Sequence, residues 1–207
     1  MFRDIDPLKI RALHHRYLED SALLKEDGAQ EKDDVFRVIA ENHKYNILLW
    51  ETEDQARRVN VSDTLIAQNK RDIDKYNQNR NDAIEQIDEI ILSRIPIDHY
   101  FAEDAWINSE TAGSIIDRMS INSLKCFHMH KQVLREDADD EHKASCSGKL
   151  KQLTMQGDNL AYCLDNLLKS IIEGRGFYRI YRQFKMYNNP KLNPYLYSQK
   201  GDKSSNF

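Results

Sequence analysis

A chain of 207 residues, 40% hydrophobic and 31% charged, is long enough to build one core without metal or disulfide staples. Its net charge of −4 is uneven: residues 175–207 hold seven Lys or Arg and one acid, so the rest sums to −10, which makes nucleic acid an unlikely partner and leaves one basic segment able to hold an anion. Cys126, Cys146 and Cys163 lack CxxC spacing, and no apolar run approaches membrane-spanning length, so the chain reads as a cytoplasmic protein without a membrane span, zinc ribbon or disulfide framework.

With only seven Gly and four Pro, long helices are expected. Asp6 and Pro7 form a cap and first-turn pair for a helix reaching about Lys25, followed by a polar turn to Lys32. Asp33 or Asp34 opens a second helix to about Arg58, and Ser62 caps a third, the longest, which ends near Arg94 ahead of Pro96. The aromatic connection 95–108 reads as a packed loop. A fourth helix starting at Ser109 or Thr111 has apolar residues around much of its circumference, which places it at the bundle centre. The acidic stretch Arg135 to His142 reads as an exposed or disordered loop. A fifth helix follows Ser147 and stops at Gly174.

Beyond Gly174, Arg175 to Tyr187 reads as a short C-terminal helix, with Phe177, Tyr181 and Phe184 in one stripe and Arg175, Arg179 and Arg182 in another. Its aromatics should dock on the bundle and its arginines on the acidic body, while the chain beyond Tyr197 should be mobile. The fold class is therefore an all-α, single-domain (1–207) antiparallel helical bundle of about five long helices plus that short one, with no sheet beyond a stray strand pair.

The second helix carries the clearest functional signal. Core-facing spacing from Ile39 selects Asn42, His43, Asn46, Trp50, Glu53 and Arg57. Polar groups on a core face need partners, and Asn77, Arg80, Asn81, Asp117, Arg118 and Lys125 are the candidates. A buried Arg80 requires a carboxylate, Glu53 or Asp117, or a bound anion. The expected site is a polar pocket in which Asn46, Arg57, Asn77, Arg80, Asn81 and Arg118 bind an anionic small molecule, with Glu53 and Asp117 as the acid–base groups. The competing reading is structural: the same groups pair across helices and set their register. Asp117 and His128, three turns apart, share a face. No histidine pair has transition-metal spacing, and no cofactor signature is present.

Three stretches carry a family resemblance: Asn42-His43-Lys44-Tyr45-Asn46 through Trp50 and on to Arg57, Asn77 through Asp88, and Asn108-Ser109-Glu110-Thr111 through Ile121 with Leu124-Lys125 and His128-Met129. Together they resemble the bacterial domain-of-unknown-function family 4254, from about Ala40 to Leu168, although Ala112 stands where the family pattern has proline. The resemblance implies a cytoplasmic helical protein encoded beside glycosyltransferases and other surface-polysaccharide genes, and it supplies no activity. Two function classes follow. One is a protein, enzymatic or not, that takes a phosphorylated or carboxylated metabolite such as a nucleotide sugar. The other is a non-catalytic partner of polysaccharide-biosynthesis (glycosyltransferase-pathway) enzymes, using its basic aromatic tail. Over shorter spans, Glu51, Glu53 and Asp54 with the Glu85/Asp88 pair are similar to the magnesium-binding carboxylates of all-α nucleotide pyrophosphohydrolases, but an ExxD pair is common in any charged helix and no metal ligand is assigned. Arg80 through Asp88 is similar to one helix of chorismate mutases.

Overall fold

A computed structural model describes residues 2, 4–25, 31, 33–184 and 191–192. Five α-helices follow in order: α1 (Pro7–Glu19), α2 (Asp34–Ala56), α3 (Asp63–Ser93), α4 (Ala112–Val133) and α5 (Asp140–Ile172). Each begins on a side chain that accepts a hydrogen bond from an unpaired first-turn N–H: Asp6, Asp33, Ser62, Thr111 and Asp139. The predicted caps at Asp6, Asp33, Ser62 and Thr111 are among them, and α4 starts at Ala112 without the proline of the family pattern.

Helices α2 and α3 form one hairpin and α4 and α5 another, and α4 packs against each of the other four helices. Ile115, Ile116 and Met119 of α4 meet Ile39 of α2, Ile87 and Ile91 of α3, and Leu164, Leu167 and Ile171 of α5 in a continuous buried core. The central placement expected of the fourth helix is therefore observed. No described helix is long and apolar enough to cross a membrane.

Three local expectations need correction. Helix α1 stops at Glu19, because Asp20 is extended and its carboxylate accepts from the Ala22 N–H at 2.9 Å, opening a separate 3₁₀ turn, Ser21–Lys25. Helix α5 begins at Asp140 rather than after Ser147: Asp139 caps it, and Asp140 and Glu141 sit in its first turn, where the helix dipole favours negative charge. The exposed loop is thus confined to residues 135–139, and Asp140 to His142 are already helical.

The third correction is the C-terminal helix. Gly174 adopts φ +68° at the end of α5, and its carbonyl accepts from the Ala102 N–H at 2.8 Å. The chain then forms a strand, β2 (Gly176–Tyr178), parallel to β1 (Trp106–Asn108), so the connection before α4 captures the tail. Gly176 has no side chain to obstruct this: a Cβ there would lie 2.7 Å from the Trp106 indole. Tyr178 is buried and Phe177 meets Phe101 edge-on, whereas Tyr181 and Phe184 are exposed, so the helical stripe does not form. Docking on the acidic body does occur: Arg182 pairs with Glu85 at 2.8 Å and with Glu89, and the Gln183 N–H donates to Glu85. The segment read as mobile, beyond Tyr197, lies outside the described residues.

Candidate functional site

The polar stripe of α2 meets α4 in a buried network. Asp117 Oδ1 accepts from the Asn42 amide at 2.9 Å and the Asn46 amide at 2.8 Å. The Asn46 amide also donates to Ser120 Oγ at 2.9 Å, and that hydroxyl donates to His43 Nδ1 at 2.7 Å. His43 Nε2–H then donates to the His14 carbonyl at 3.0 Å, which sets its tautomer. Burial holds His43 down at about 3 and His14 well below the usual histidine range, so both are neutral near pH 7. Asp117, Ser120, Asn42 and Asn46 lie on two facing helices, and each satisfies the others. This half of the stripe fixes the α2–α4 register.

Arg80 of α3 approaches the same carboxylate from the open side. Its Nε is 4.0 Å from Asp117 Oδ1, too far for a hydrogen bond. The Nε atom is buried and has no hydrogen-bond partner among the described residues, while about a quarter of the side chain remains exposed. Arg80 lines a cavity of about 310 Å³ together with Asn46, Trp50, Glu53 and Arg57. At its rim, Arg57 is held by Glu53 at 3.0 Å and Asp54 at 3.3 Å, with Arg57 and Asp54 exposed and Glu53 half-buried.

Of the eight residues selected from the sequence, Asn46, Glu53, Arg57 and Arg80 thus line one cavity, with Asp117 behind Arg80. Asn77 and Asn81 lie half-buried on α3, outside its lining. Arg118 points elsewhere, its Nη1 donating to both oxygens of Glu110 at 2.7 and 2.8 Å. Residues 117 and 118 are about 100° apart on a helix, so one faces α2 while the other faces α5. His128 does not approach Asp117 but stacks on Trp50, with ring centroids 4.5 Å apart and planes 8° from parallel. In the Glu85/Asp88 pair, Glu85 binds Arg182, and buried Asp88 accepts from the Gly113 N–H at 2.7 Å. The free N-terminus of α4 is thus met by a carboxylate of the chain itself.

Sequence reasoning missed Ser120, whose only signal was its place three residues after Asp117. It also missed a second cavity, of about 530 Å³, beside the first and sharing Trp50 and Asp54 with it. On α4 its lining follows the spacing Lys125, His128, Met129, Gln132, and on α5 Lys149, Gln152, Leu153, Gln156. Both are i, i+3, i+4, i+7 rows along one helix face, and six of the eight side chains are polar, four of them (Lys125, Lys149, Gln152 and Gln156) exposed.

The fold and site define an all-α protein of two helical hairpins, with a polar network buried between α2 and α4 and an arginine-walled cavity beside it. Residues 36–180 match the family model described as "Protein of unknown function (DUF4254)", and the chain belongs to that family. No curated protein and no solved structure matches the chain.

Proposed function

We propose that this protein binds a phosphorylated or carboxylated metabolite in the cavity between α2, α3 and α4, and that it serves a surface-polysaccharide pathway in the bacterial cytoplasm. The observation that carries the binding reading is Arg80: a half-buried side chain in a cavity wall, whose buried Nε has no hydrogen-bond partner among the described residues. A guanidinium has five N–H donors in a fork that fits carboxylate and phosphate, and an unfilled buried donor costs about 1–3 kcal/mol. Asp117 balances its charge, but two asparagine amides already occupy that carboxylate oxygen. Arg57 adds a second cation at the rim. Its exposed pairs with Glu53 and Asp54 are worth at most about 1 kcal/mol each, so a ligand displaces them at little cost. Glu53, once released, is the rim carboxylate positioned for acid–base work. Asp117 acts through Arg80 as a positioning residue. The pathway rests on the family resemblance alone.

The test is a thermal-shift panel of nucleotide sugars, nucleoside triphosphates, carboxylated sugars and magnesium, run on the native chain and on Arg80→Met. A ligand at about 100 times its Kd stabilises by about 2.7 kcal/mol, a shift of several degrees. Stabilisation by one anionic class, lost in Arg80→Met, is the expected result. No shift across the panel, or one that survives Arg80→Met, overturns the reading and turns attention to the tail. There the exposed Tyr181 and Phe184 support the reading of a non-catalytic partner protein.

A further inference from the structure

The second cavity has a different character from the first. Its wall contains a preformed aromatic stack, Trp50 on His128, nearly parallel and 4.5 Å apart. Burial and the nearby Lys131 hold His128 below the usual histidine range, so the imidazole is neutral near pH 7 and the stack carries no charge of its own. Around it stand two ammonium groups from different helices, Lys125 and Lys149, and two glutamines of α5, Gln152 and Gln156. Each glutamine offers both a carbonyl acceptor and an amide donor, the pairing that reads the edge of a heteroaromatic ring. An aliphatic ligand would have no use for this chemistry, and a bare phosphate would have no use for the stack.

We propose that this groove is a nucleobase subsite. The ring extends the Trp50–His128 stack, a glutamine amide reads its edge, and Lys125 and Lys149 hold the phosphates. Because Trp50 and Asp54 border both cavities, the far end of the same molecule reaches Arg80. This deepens the binding reading above and rests on it: the anionic metabolite becomes a nucleoside diphosphate or a derivative of one. The lining of this groove comes from α2, α4 and α5 and contains no residue of α3, so it is distinct from the Arg80 wall. Lys125, Lys149, Gln152 and Gln156 are exposed around the half-buried His128, so their polar groups are available to a ligand rather than used in packing.

Isothermal titration calorimetry separates the two parts, with uridine, adenosine and guanosine diphosphates set against inorganic pyrophosphate and ribose 5-phosphate. Base stacking on an aromatic side chain is worth about 1–3 kcal/mol, so at least one nucleoside diphosphate should bind about 10-fold or more tighter than pyrophosphate. Trp50→Leu should remove that preference, bringing the nucleoside diphosphates to within about 3-fold of pyrophosphate. Lys125→Met with Lys149→Met should weaken the nucleotide about 10-fold or more. Arg80→Met should weaken pyrophosphate yet keep the ring preference. Should Trp50→Leu fail to fold, Gln152→Ala with Gln156→Ala, on an exposed face, should reduce the preference in its place. Equal affinity of the native chain for pyrophosphate and every nucleoside diphosphate overturns the subsite and leaves the Arg80 reading intact. Absence of binding by all five compounds overturns both.

Discussion

Acid should destabilise this protein through His14 and His43, and Asp88 should oppose the effect. His14 and His43 are fully buried and stack at 4.4 Å, and neither ring nitrogen of His14 has a hydrogen-bond partner. Both have folded pKa values depressed from 6.5, His43 to about 3, so their contribution is complete above about pH 6.5 and is lost as the pH falls below it. Asp88 has the opposite sign. Burial, only partly offset by the Thr111 hydroxyl and the Gly113 N–H, pushes its carboxyl from 3.8 up to about 6. Its contribution is therefore complete below pH 3.8 and lost as the pH rises through 6. Between pH 6 and 4 the unfolded chain carries nearly two protons on the histidines, while the folded chain carries most of one on Asp88. At about 1.4 kcal/mol per proton per pH unit, the native chain should lose about 3 kcal/mol over that interval. Asp88→Asn removes the opposing term, and the loss should grow to about 5 kcal/mol. His14→Phe removes one histidine, and the loss should shrink below about 1 kcal/mol. Urea unfolding followed by circular dichroism at pH 6, 5 and 4 measures all three. Comparing slopes cancels the other carboxylates, and His14→Phe also avoids breaking a hydrogen bond of the ring. Identical slopes in the three proteins would refute the reasoning.

The remaining predictions concern packing and pairing. Gly113→Ala would place a Cβ 2.5 Å from the Ile84 carbonyl oxygen, so α3 and α4 must separate; a loss of about 2 kcal/mol or more should appear as a lowered Tm. Ser120→Ala removes the donor to His43 and one acceptor of Asn46 in a buried site, and should cost about 1–3 kcal/mol in denaturant unfolding. Arg118→Met should leave pyrophosphate affinity by calorimetry unchanged, since Glu110 holds that guanidinium away from the Arg80 cavity; a loss matching that of Arg80→Met would contradict the geometry. Arg182→Ala should lower Tm by no more than a degree or two, because its pairs with Glu85 and Glu89 are surface ion pairs.

Features that rest on neighbours within four residues were legible in the sequence: the caps at Asp6, Asp33, Ser62 and Thr111, the apolar period of α3, and the polar stripe of α2. A helix start or a helix face is a local event, and side-chain spacing alone determines it. The same local reasoning failed where a distant segment competed. Residues 176–178 became a strand only because Trp106–Asn108 offered a partner some seventy residues earlier, and nothing in the tail itself records that partner. The stripe showed that Asn42, Asn46 and Arg80 needed partners but not which ones. That choice depended on helix rotation and crossing, which turned Asp117 toward the asparagines and its neighbour Arg118 toward Glu110. Asp88 shows the same division: its helical register was readable, but its role required the N-terminus of α4 to be brought against it. Short-range hydrogen bonds and periodic burial set the elements of this protein, and the pairing of buried polar groups between helices, where the free-energy cost of a mismatch is largest, was decided only in the tertiary structure.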